Sequence, residues 1–153
     1  MVSTLCLSSK NQKFIYSLNF VEEDIQECLK EISKLQREIT ILGYEIKQLS
    51  MDPSGNQCLL LHRLRDIDSV SIRIIKTNKH LKILEGSLSE LAEKNLEELE
   101  VGEDTRSEAR KSFSFKRQLI SSAFQLTREM LEKIVLICER LVSAMLLFRR
   151  FSK

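Results

Sequence analysis

Two histidines, four cysteines and one cluster of basic residues interleaved with phenylalanines are the side chains of this 153-residue chain whose types could do chemistry. His62 and His80 stand 18 residues apart. That is five helical turns, or roughly 27 Å along one helix, so they cannot share a metal ion. The cysteines, Cys6, Cys28, Cys58 and Cys138, are widely separated and form no C-x-x-C pair. They read as small apolar residues kept reduced, with no metal or cofactor implied. No phosphate-binding glycine loop, H-E-x-x-H, G-x-S-x-G or EF-hand pattern occurs. Catalysis needs a nucleophile, a base and an oxyanion donor that converge, and nothing here supplies them, so the chain is expected not to be an enzyme.

Arg106, Arg110, Lys111, Lys116 and Arg117 surround Phe113 and Phe115. Such interleaving can hold phosphates while aromatics stack on bases, although Phe113 also falls on an apolar stripe, which favours a core role. With Arg149, Arg150 and the apolar residues Leu146, Leu147, Phe148 and Phe151, the same cluster could instead rest on an anionic membrane or a tubulin surface. Arg149-Arg150-Phe151-Ser152 has the form of a basophilic kinase site, and Arg110-Lys111-Ser112 is a weaker version. Phosphate on Ser152 would weaken whatever the basic terminus binds.

The elements that carry these residues are helical. A single Pro, four Gly, no Trp and two Tyr leave too few turn residues for a strand-rich fold, while 42% hydrophobic content suffices for a core. Asp52-Pro53-Ser54-Gly55-Asn56 and Gly102-Glu103-Asp104-Thr105 divide the chain into helices at about 19–51, 57–100 and 105–151, after a loosely ordered tail over 1–18 with a short helix near Phe14–Leu18. Residues 19–153 then form one domain.

The first helix has an unbroken heptad pattern, with Ile25, Ile32, Ile39 and Ile46 at a, and Val21, Cys28, Leu35, Leu42 and Leu49 at d. Its g positions, Asp24, Glu31, Glu38 and Glu45, are all acidic, while Leu29, Gln36, Gly43 and Ser50 at e offer no cation. A parallel homodimer gains no interhelical salt bridge, so this helix calls for a basic neighbour, which could be internal. In the second helix Leu60, Leu64, Ile67, Ser71, Ile74, Asn78 and Leu81 form one register, and Leu84, Leu88, Leu91 and Asn95 follow after a three-residue step. Asn78 either specifies register or sits at the edge of the stripe. The basic half of that helix, with Arg63, Arg65, Arg73, Lys76, Lys79 and Lys82, complements the acidic flank of the first.

The third helix alternates Phe113, Arg117, Ile120, Phe124, Thr127, Leu131, Ile134, Cys138, Leu141, Met145 and Phe148. Ala123, Met130, Ile137 and Ala144 on one flank and Val135 and Val142 on the other make its stripe wider than a two-helix contact needs. Short connections make neighbours antiparallel, so the expected fold is all-α, an elongated antiparallel three-helix bundle with coiled-coil packing.

Charge is blocky. Residues 83–104 carry 8 acidic and 1 basic side chains, and residues 105–153 carry 4 and 11, yet the net charge is only +2. The balance makes no general case for nucleic acid, and nucleic-acid binding is expected to be a minor reading. Glu139, Arg140, Arg149 and Arg150 interrupt the most apolar run, Ile134 to Phe151, leaving too little to span about 30 Å of hydrocarbon. The start of the chain lacks the form of a secretory signal, so a cytoplasmic or nuclear location is expected.

Function is therefore expected to lie in docking: a scaffold or adaptor subunit of a cytoskeletal, spindle, kinetochore or vesicle-tethering complex, with other helical proteins as partners and a hetero-oligomer favoured over a parallel homodimer. The residues expected to bind them are Ile25, Ile32, Leu35, Ile39, Leu42 and Ile46 on one seam, and Leu131, Ile134, Leu141, Met145 and Phe148 on the other. The alternatives are a membrane-associated trafficking module with a basic C-terminal surface and a nucleic-acid accessory protein.

Overall fold

In a computed structural model, which describes residues 9–95 and 103–151, the chain is an all-α bundle of three helices with no strand among the described residues: α1 (Ser9–Leu49), α2 (Gln57–Asn95) and α3 (Glu103–Phe151). The tail expected over 1–18 is corrected in its second half, since α1 already begins at Ser9. No Gly or Pro lies between Ser9 and Leu42, so a helix nucleated by the strong apolar stripe propagates backwards at little cost.

Asp52-Pro53 stops α1, because proline has no N–H to donate and restricts the residue before it. The last turn tightens, with the Met51 and Asp52 amides donating to the Gln48 and Leu49 carbonyls at 3.2 and 3.3 Å. A 3-10 turn over Pro53–Gly55 follows. Asn56 then ties the turn to α2: its side-chain amide donates to the Asp52 carbonyl at 3.0 Å, and its own carbonyl accepts from the Leu60 amide at 2.9 Å.

Two compact units divide the chain. In the one containing the described residues up to Leu29 and residues 79–124, the core is Val21, Ile25 and Cys28 of α1, Leu81, Leu84 and Leu88 of α2, and Phe113, Ile120 and Ala123 of α3. Here His80 Nε2 lies 3.8 Å from Asp24 Oδ2. The unit containing residues 30–78 and 125–151 is built on Ile32, Leu35, Ile39, Leu42 and Ile46 of α1, against Leu60, Ile67, Val70 and Ile74 of α2 and Met130, Ile134, Ile137, Leu141 and Ala144 of α3.

The acidic flank of α1 meets basic residues of α2 in this second unit. Arg73 donates from Nε to Glu31 at 2.9 Å and from Nη1 to Glu38, and Arg63 Nε pairs with Glu45 at 2.9 Å. Burial by itself lowers the proton affinity of Arg73. The hydrogen bonds and charges of Glu31 and Glu38 outweigh it and hold the guanidinium above the ordinary arginine value.

One column of the expected seams is corrected on both α2 and α3. On α2 the buried positions run Leu60, Ile67, Val70, Ile74, Thr77, Leu81, Leu84 and Leu88, with Arg63 half-buried between the first two. That is continuous three-four alternation without the expected step. Leu64 is exposed, and Ser71 and Asn78 are half-buried. On α3 the buried set is Phe113, Lys116, Ile120, Ala123, Thr127, Met130, Ile134, Ile137, Leu141 and Ala144. Arg117 and Leu131 are exposed, and Phe124, Cys138 and Met145 lie at the edge.

The central columns are as expected, but the columns beside them are taken one residue earlier. Small residues explain the choice: Ala123, Ala144 and Thr77 let neighbours approach, and Gly43 of α1 sits where a Cβ would stand 3.4 Å from Ile137 Cδ1. That is ordinary contact distance, so Gly43→Ala fits. Gly86 has nothing within 4 Å of a would-be Cβ. Because glycine inside a helix costs about 1 kcal/mol relative to alanine, Gly86→Ala should raise unfolding free energy in urea by about that much, with Gly43→Ala gaining less.

Candidate helix-docking interface

The displaced columns create the feature with the clearest functional meaning. In the unit of residues 30–78 and 125–151, α2 leaves Leu61, Leu64, Ile72 and Ile75 exposed, and α3 leaves Leu131, Val135, Val142 and Leu146 exposed. Ile72 keeps 54% of its surface in solvent, Val135 55% and Val142 52%. On a helix, residues three and four apart share a face, so Leu131, Val135, Val142 and Leu146 line one side of α3, while on α2 the exposed Asp68 separates the pair Leu61 and Leu64 from the pair Ile72 and Ile75.

One hydrogen bond joins α2 and α3 beside these residues. The Asn78 side-chain amide donates to Thr127 Oγ1 at 3.0 Å, with Thr127 fully buried. The carboxylate of Asp68 acts on the thiol of Cys138. Asn78 is thus an edge residue that also bridges two helices, placing a polar contact where the apolar core gives way to the exposed apolar residues.

The same neighbourhood sets thiol reactivity. Burial, and then the charge of Asp68, pushes Cys138 above its ordinary range, while burial, followed by Asp24 and Glu27, does so for Cys28. Cys58 is exposed. Among the three described cysteines, alkylation at about pH 8, mapped by mass spectrometry, should therefore modify Cys58 first, Cys138 more slowly and Cys28 only on unfolding. A thiol pKa raised in the folded state means that folding holds the proton more tightly. The stability so contributed is complete below the unfolded thiol range of about 8.5 and is lost as pH rises through the higher folded values.

Of the expected partner-binding residues, Ile25, Ile32, Leu35, Ile39, Leu42 and Ile46 are all buried inside the chain's own units, as are Ile134 and Leu141. Leu131 is exposed and Met145 half-buried at the junction of α2 and α3. The side chains of Phe148, Arg149 and Arg150 lie outside the described residues, as does Ser152. Ile72 and Ile75 were not expected on a docking surface. Their signal was an apolar pair lying off the stripe of an otherwise basic helix face.

The basic surface is corrected at one position. Lys116 is 5% exposed, with Nζ donating to Ser112 Oγ at 2.7 Å and lying 3.8 Å from Glu22 Oε2. It occupies the buried column because its long aliphatic stem packs like an apolar side chain while the ammonium reaches the rim. Arg110, Lys111 and Arg117 are exposed, and Arg106 is half-buried. Phe113 is in the core and Phe115 is exposed, so the aromatics do not form one stacking platform.

Among the described residues no group of three or more His, Cys, Asp and Glu is placed to hold a metal ion, and no helix is long and apolar enough to cross a membrane. No protein-family model matches this chain, nor does any curated protein or any solved structure.

Proposed function

We propose that the chain is a non-enzymatic scaffold or adaptor subunit of a larger cytoplasmic or nuclear assembly, of the cytoskeletal, spindle, kinetochore or vesicle-tethering kind, and that it works by helix–helix docking. The observation that carries this reading is the apolar residues exposed on α2 and α3, Leu64, Ile72 and Ile75 beside Leu131, Val135 and Val142. Contiguous apolar surface rimmed by polar residues marks interaction sites in soluble proteins.

The three helices are read as an antiparallel, heptad-packed bundle. Arg63 reaches Glu45 while Arg73 reaches Glu38 and Glu31, and Asn78 meets Thr127 while Asp68 acts on Cys138. Position numbers fall along one helix as they rise along its neighbour. Counting from the Asn78–Thr127 hydrogen bond along antiparallel helices puts Ile75 within about one residue of the level of Leu131, Ile72 of that of Ile134 and Leu64 of that of Val142. The exposed apolar residues of α2 and α3 then become the two walls of one groove.

A photoreactive phenylalanine analogue placed at Val135 in cells, with an equivalent probe at exposed Lys47 on α1 as control, tests the reading. Discrete protein adducts from position 135 that position 47 does not give are the expected result. Equal or absent labelling at the two positions would remove the groove as a docking surface.

A further inference from the structure

We draw no further inference here: the strongest candidate, the apolar face between α2 and α3 lined by Ile72, Ile75, Leu131, Val135 and Val142, belongs to the docking surface already proposed, and nothing in the structure shows what covers it.

Discussion

Replacing Ile32 and Ile39 together with Asp abolishes cooperative folding, read as loss of the helical circular dichroism signal and of a urea transition. Both side chains are essentially without solvent contact, at 1% and 3% exposure, in the unit formed by residues 30–78 and 125–151. No basic group lies on the buried face of α1 to receive a new carboxylate. Arg73 is already shared between Glu31 and Glu38, and Arg63 between Glu45 and Asp66. An unpaired buried charge costs several kcal/mol even after relaxation, and two of them add to the lost burial of two isoleucines, about 2 kcal/mol or more each. That total reaches the whole stability of an ordinary domain, about 5–15 kcal/mol. Full helicity and an unchanged transition in the double variant would mean that these isoleucines are not in the core.

Leu141→Ala carries the second large effect, a loss of about 2–5 kcal/mol in unfolding free energy, because Leu141 has no exposed surface and its removal leaves a cavity. Val142→Ala, one residue on, should cost well under 1 kcal/mol, since about half of its side chain is in solvent. The contrast tests the placement of α3 directly. Leu131→Ala against Met130→Ala repeats it one level along: Met130 is buried, and Leu131, which the sequence spacing places on the seam, is at the exposed edge. Equal costs within either pair, measured by urea denaturation, would refute the shifted column.

The stripe of α1 was legible from spacing alone because its surroundings allow one answer. Asp24, Glu31, Glu38 and Glu45 exclude one flank, and Gln36, Gly43 and Ser50 offer almost nothing apolar on the other. The acidic flank of α1 also announced its neighbour, since the basic residues of α2 included the two arginines that meet it. The central columns of α2 and α3, Leu60, Ile67, Ile74, Leu81 and Leu88 and Phe113, Ile120, Thr127, Ile134 and Leu141, were equally plain.

What spacing could not resolve was which neighbour of each central column is buried. On α3 the candidates were Lys116, Ala123, Met130, Ile137 and Ala144 against Arg117, Phe124, Leu131, Cys138 and Met145, one cation and four apolar residues in each. Hydrophobicity favours the second set by size, and the structure buries the first. The apparent three-residue step on α2 at Leu81 was the point where a reading along the wrong column rejoined the right one.

The amino-acid sequence by itself determined the helical class, the turn at Pro53, the core stripe of α1 and the charge pairing between α1 and α2, because each follows from local periodicity or from the sign of the charges. Only the tertiary structure decided on which side of the α2–α3 pair α1 lies. Close approach decides that, through Gly43 against Ile137 and through Ala123, Ala144 and Thr77, and steric fit between distant segments leaves no periodic trace in either segment. The side that α1 leaves bare, lined by Ile72, Ile75, Leu131, Val135 and Val142, is therefore the surface on which the proposed function rests and the one that spacing alone could not locate.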